Sequence, residues 1–139
     1  MVAGPPPAGA YIDRMDSVDA TVLVVDDDPV IVDLLRVNFE MEGYKVISAG
    51  DGEEGLALAR QEHPDVIVLD VMMPRLDGLG MARRLREDPD GRSTPILLLS
   101  AKAQASDIAA GMAVADGYVT KPFEPLELLD RVAALLAKP

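Results

Sequence analysis

Five short runs of almost unbroken apolar residues, near positions 21–26, 44–48, 65–70, 95–100 and 117–120, dominate this chain. Strands that are continuously Val, Ile and Leu, rather than alternating apolar and polar, are covered on both faces, as in a parallel sheet wrapped by helices. Helical patterns with legible punctuation separate them. Asp28 caps a helix opening at Pro29, where a missing N–H costs nothing; that helix repeats Val30, Leu34, Val37 and Met41 as its apolar stripe and stops at Gly43. Asp51, with Glu54 three residues on, forms a capping pair for a second helix. A third runs from Asp77 to Glu87 and breaks at Pro89-Asp90-Gly91, and a weak, Ala-rich fourth covers Gln104 to Ala113. The last carries Leu128, Leu129, Val132, Leu135 and Leu136 at helical spacing. Five βα units in series predict an α/β fold, a three-layer, doubly wound five-stranded parallel sheet.

The chain's 139 residues suffice for one domain and a tail. Residues 1–20 are rich in Gly, Pro, Ala and Asp without any period, and are expected to form a flexible N-terminal extension ahead of a domain spanning 21–138. Thirteen basic residues against 24 acidic ones give a net charge of −11, which disfavours direct binding of nucleic acid through its phosphates. With no cysteine, disulfides and thiolate metal sites are excluded. No apolar stretch approaches the roughly 20 residues that span a bilayer. The start also lacks the basic and apolar regions of a signal peptide, so a cytoplasmic location without a membrane partner is expected.

In such a sheet the carboxyl ends of all strands share one edge, where ligands bind. The first run leads into Asp26-Asp27-Asp28, the third into Asp70, the fourth into Ser100 and the fifth into Lys121. Alone, an acidic trio after a strand is often a helix cap, which accounts for Asp28, and a lone lysine is usually a surface charge. Together these positions bring carboxylates, a hydroxyl and an ammonium into one pocket. Clustered carboxylates repel one another, and a hard cation such as Mg²⁺ relieves that repulsion while keeping sites for water and phosphate oxygens. One carboxylate could then attack phosphorus to give an acyl phosphate, with Lys121 as a second cation and Ser100 as a hydrogen-bond donor.

The segments Val24-Val25-Asp26-Asp27-Asp28-Pro29, Leu69-Asp70-Val71-Met72-Met73-Pro74-Arg75-Leu76-Asp77-Gly78, Leu99-Ser100-Ala101 and Tyr118-Val119-Thr120-Lys121-Pro122-Phe123 resemble the receiver domain of two-component response regulators. The resemblance covers about residues 21–137 and implies a flavodoxin-like fold with strand order 2-1-3-4-5. It implies that Asp70 is the phosphoacceptor. Asp26 and Asp27 would be the acidic pair holding Mg²⁺, joined by Asp70 and the backbone carbonyl of Met72. Lys121, Ser100 and Ala101 would bind the phosphoryl group, and Ser100 and Tyr118 would form a switch pair whose aromatic ring turns inward. The resemblance further implies a cis Lys121-Pro122 bond, and a histidine kinase or phosphotransfer protein as donor. The switched surface would be the fourth helix, fifth strand and fifth helix, acting on a partner or output domain. A phosphorylation-dependent homodimer is one form this can take. Such a domain is not an enzyme beyond its own phosphorylation and dephosphorylation.

The chain departs from the family pattern before the aromatic, with Val114-Ala115-Asp116-Gly117 where Gly-Ala-Asp-Asp is common. Asp116 is a candidate ion-pair partner for Arg131. His63, the only histidine, lies before Pro64 and reads as a helix cap. Met72 and Lys102, two residues past Asp70 and Ser100, offer no group to orient an attacking water, so slow loss of the phosphoryl group is expected. Two other readings compete. A haloacid-dehalogenase-type phosphatase would use the Asp-x-Asp after the first strand, but it leaves Asp70 unexplained and finds no later strand ending in paired carboxylates. A pseudo-receiver that only docks a partner is opposed by the intact acidic set. The chain ends close to its last helix, so it is expected to be either a stand-alone receiver or one part of a longer regulator.

Overall fold

The computed structural model describes residues 20–137; the expected N-terminal extension lies outside these, apart from Ala20. The chain alternates β1 (Thr21–Val25), α1 (Pro29–Met41), β2 (Lys45–Ala49), α2 (Gly52–Glu62), β3 (Val66–Asp70), α3 (Gly78–Glu87), β4 (Ile96–Ser100), α4 (Ala105–Met112), β5 (Gly117–Thr120) and α5 (Pro125–Leu136). Five parallel strands lie in the order β2-β1-β3-β4-β5, as expected from the resemblance. The central strands β3 and β4 are buried at every position, which is why their sequences carry no polar alternation.

Alternate residues of each strand feed two cores. Val22, Val24, Val66, Val68, Leu97, Leu99 and Val119 pack against α1 and α5 through Leu35, Phe39, Leu128 and Val132. Leu23, Val25, Ile67, Leu69, Ile96 and Leu98 pack on the other face against Leu56 of α2 and Met81, Ala82 and Leu85 of α3. Tyr118, half-buried, joins this second core. The apolar stripe of α5 falls where the spacing put it, with Leu128, Val132 and Leu135 buried.

The stripe expected of α1 is overturned. Val30, Val37 and Met41 are 71%, 55% and 79% exposed and Leu34 is 38% exposed, while Leu35 and Phe39 are buried. Ile31 and Val32 pack partly against the same core. The helix is apolar on two adjoining faces, with Asp33, Arg36 and Glu40 along the remaining one, and the sheet takes the apolar face that carries its bulkiest side chain, Phe39. Its ends are as the sequence implies: Asp28 Oδ1 accepts from the Val30 N–H at 2.9 Å, and Gly43 (φ 93°) takes the left-handed position that reverses the chain into β2.

Three further caps hold. Asp51 accepts from the Glu54 N–H at 2.8 Å, and the Glu54 carboxylate reaches back to the Gly50 N–H at 2.8 Å rather than to that of Asp51. Asp77 accepts from the Gly80 N–H at 2.7 Å. His63 is the left-handed C-cap of α2 (φ 48°), its N–H donating to Ala59 O at 3.1 Å. Asp116 departs from expectation. It pairs with Arg86 at 3.0 Å and accepts the Ile96 N–H at 2.9 Å, so its partner is α3 rather than Arg131 of α5. Arg86 also donates to the carbonyls of Val114, Gly91 and Thr94, joining α3 to both following loops. The Lys121–Pro122 bond is cis. Among the described residues no helix is long and apolar enough to cross a membrane.

Candidate functional site

Three polar side chains are buried among the described residues, and all three lie at strand ends on one edge of the sheet: Asp26, Asp70 and Ser100. Asp26 follows β1, held by its neighbour's backbone: the Asp28 N–H donates to Asp26 Oδ1 at 2.9 Å. Asp70 closes β3, adjacent to β1 in the sheet, so the two carboxylates face each other across neighbouring strands. Asp27 is exposed at the rim, and ligand oxygens of Asp26, Asp27 and Asp70 lie within 4.8 Å of one another. From the turn after β5, Lys121 Nζ donates to Asp26 Oδ2 and Asp70 Oδ1, each at 3.3 Å.

The electrostatics follow from this enclosure. Burial pushes the Asp26 carboxyl above its ordinary value, outweighing the Asp28 N–H and the Lys121 ammonium. Burial also raises Asp70, and repulsion from Asp26 adds to it. For Lys121, burial opposes the charge, yet Asp26 and Asp70 together outweigh it and hold the ammonium above its ordinary value. One ammonium thus faces two buried carboxylates and a third at the rim, leaving net negative charge in a confined space. An all-oxygen donor set with excess negative charge fits a hard divalent cation, and Asp26, Asp27 and Asp70 are the side chains that would hold it.

Ser100 ends β4, its Oγ accepting the Lys102 N–H at 3.1 Å. The other side of residue 102 is engaged as well, since Tyr118 Oη donates to the Lys102 carbonyl at 2.9 Å. Ser100 and Tyr118 are therefore linked through one residue of the β4–α4 loop. Met72, 53% exposed, and Lys102 both line a groove of about 450 Å³ beside the site, with Tyr118 on its wall. Ala101 is exposed next to Ser100. Of the side chains singled out from the sequence, Asp26, Asp27, Asp70 and Lys121 meet at this edge, and Ser100 ends the neighbouring strand β4. What the sequence reading missed are the Lys102 backbone link and Gly111, which packs on the Tyr118 ring. A glycine inside a short alanine-rich helix was the available signal for Gly111.

Comparison with known proteins agrees. The model of the response regulator receiver domain matches residues 22–133. The DNA-binding dual master transcriptional regulator RpaA of Synechocystis sp. is 48% identical over 118 residues, which are 84% of this chain and 49% of that protein. The chain spans about half the length of the curated relatives it matches. Among solved structures, chemotaxis protein CheY4 of Vibrio cholerae superposes with a TM-score of 0.79 at 36% identity, covering 84% of this chain and 98% of that one. The receiver domain of sensor histidine kinase PA1611 from Pseudomonas aeruginosa, with a magnesium ion in its active site cleft, gives 0.79 at 28% identity, covering 86% and 98%. The fold, the order of its strands and this match over nearly the whole described chain place the protein in the receiver-domain family of two-component response regulators.

Proposed function

We infer that Asp70 accepts a phosphoryl group from the phosphohistidine of a histidine kinase or phosphotransfer protein. The observation that carries this reading is the burial of two facing carboxylates, with Lys121 between them, at one strand-end pocket. An Asp70 oxygen bonds to phosphorus as the phosphorus–nitrogen bond of the donor breaks, and the imidazole leaves with the electron pair. Asp26, Asp27 and Asp70 would hold Mg²⁺, with the Met72 carbonyl as a further ligand; a related receiver domain carries magnesium in its active site cleft. When bound, the ion neutralises the carboxylates and the oxygens of the transferred group. Lys121 supplies the second positive charge, while Ser100 and the backbone at Ala101 receive the phosphoryl oxygens.

The phosphorylated state is read out through Ser100 and Tyr118 onto α4, β5 and α5. The output belongs to a longer regulator like the relatives, which carry about as much sequence again beyond the matched region. Any contact with DNA lies in that remainder, consistent with the strong negative charge of this chain. The setting is the cytoplasm, and the domain's only chemistry is its own phosphorylation and dephosphorylation. The phosphatase reading loses its footing because the receiver-domain model matches residues 22–133 and that reading gives the buried Asp70 no role.

A protein donor needs a landing surface, and α1 offers one. Its exposed Val30, Leu34, Val37 and Met41 start two residues past Asp28, at the rim of the pocket. Binding of beryllofluoride, a stable phosphoryl mimic, tests the site. Wild type should bind it only with Mg²⁺, and Asp70→Asn should not bind it at all. Binding that survives Asp70→Asn would refute the assignment. Light scattering on the same samples reads self-association: a dimer that forms only in the activated wild type identifies the switched surface as a dimer face.

A further inference from the structure

We propose that Gly111 is the positioning residue that admits the Tyr118 ring to its place against α4, and thereby sets how strongly the switch responds to the phosphoryl site. The proposal rests on the reading of Tyr118 as the switch residue. Glycine inside a helix is less favourable than alanine, and α4 is short and rich in alanine. Gly111 nevertheless occupies that helix, and it is the one buried residue in it.

The reason is steric. A Cβ built on Gly111 would stand 2.6 Å from Cδ2 and 2.8 Å from Cε2 of Tyr118, and 2.9 Å from Cδ1 of Leu98. None of these atoms yields easily. Leu98 is fully buried in the sheet core, and the Tyr118 ring is tied at its far end by the hydrogen bond from Oη to the Lys102 carbonyl. A rigid ring fixed at both ends cannot slip aside as a flexible chain would; it must rotate out of the slot and give up that bond. The peptide unit on the other side of residue 102 donates to Ser100 Oγ. A continuous set of contacts therefore runs from the buried hydroxyl at the phosphoryl pocket, through Lys102 and the ring, to the backbone of α4 at Gly111. A single methyl group at position 111 breaks the set at its last link without touching the pocket.

The test is a double-mutant cycle on the chain as it stands: wild type, Gly111→Ala, Tyr118→Ala and the double variant. Urea unfolding gives stability, and the ¹⁹F resonance of bound beryllofluoride, in saturating Mg²⁺, gives affinity for the phosphoryl mimic. Gly111→Ala should weaken that affinity about threefold or more in wild type and change it less than about 1.5-fold when combined with Tyr118→Ala. In stability, the substitution should be unfavourable in wild type and markedly less so alongside Tyr118→Ala, where only the contact with Leu98 opposes the gain in helix propensity. Repeating the cycle with Tyr118→Phe, which keeps the ring but frees its far end, should give a penalty smaller than in wild type and larger than alongside Tyr118→Ala. Equal effects of Gly111→Ala in all backgrounds would overturn the proposal. Coupling in stability without coupling in affinity would overturn it differently, by showing that the contact exists but Tyr118 does not answer to the phosphoryl site. Failure of the wild type itself to bind beryllofluoride would remove the phosphoacceptor reading and this proposal together.

Discussion

Burial of Asp26 and Asp70 works against stability, and the cation-free protein carries the cost. Burial raises both carboxyls above their ordinary 3.8, with the repulsion of Asp26 adding at Asp70. The folded chain therefore keeps these protons to higher pH than the unfolded chain does, and stability falls as pH rises from about 4 through the raised values. Asp70→Asn should raise the melting temperature of the cation-free protein at neutral pH by about 3–5 °C, on the order of 1 kcal/mol. The gain should shrink as pH falls toward about 4. Melting curves in EDTA across that range check this, and equal melting of the two proteins at neutral pH would contradict it. Lifetime is also a residue-scale property. Met72 and Lys102 border the groove beside Asp70, and the backbone of residue 102 is committed to Ser100 and Tyr118. Neither side chain is a base that could orient water, so the acyl phosphate should persist for minutes or longer once donor is removed. Loss within a few seconds, followed by phosphate release, would refute this.

At the scale of elements, α1 shows where a sequence pattern is ambiguous. Val30, Leu34, Val37 and Met41 make one helical stripe, and Ile31, Val32, Leu35 and Phe39 make another. Periodicity detects either; only the sheet decides which one is buried, and it takes Leu35 and Phe39. Leu35→Ala should therefore cost about 3 kcal/mol in urea unfolding, whereas Leu34→Asp with Val37→Asp should leave stability within about 0.5 kcal/mol. The same pair should slow phosphorylation by a histidine kinase about tenfold or more while sparing phosphorylation by acetyl phosphate, if α1 receives the donor. An unchanged kinase rate would move the landing surface elsewhere. Strands β1, β3 and β4, by contrast, were legible almost to the residue, because burial on both faces leaves runs of Val, Ile and Leu. The site was legible for a related reason: each of its side chains sits where an apolar run stops. Gly111 and the Asp116–Arg86 pair were not legible, since their partners lie 7 and 30 positions away on elements whose packing the sequence does not state.

For the whole molecule, Arg86 is the tie that holds the loops around β4. It joins α3 to the carbonyls of Gly91, Thr94 and Val114 and to Asp116, which in turn fixes the start of β4. Arg86→Met would leave several part-buried acceptors without a donor and should cost about 2–3 kcal/mol. A loss under about 0.5 kcal/mol in urea unfolding would show that water replaces the guanidinium there. With these ties in place, the two cores and the parallel sheet exist to bring Asp26, Asp27, Asp70, Ser100 and Lys121 to one edge. The most direct test of that claim is to trap the phosphorylated domain. The protein is incubated with Mg²⁺ and a phosphorylated histidine kinase, reduced with borohydride, which converts an acyl phosphate to the alcohol, and mapped by mass spectrometry. Reduction at Asp70 alone is expected, abolished by EDTA and by Asp70→Asn. Reduction at Asp26 or Asp27, or none at all with a competent donor, would contradict it.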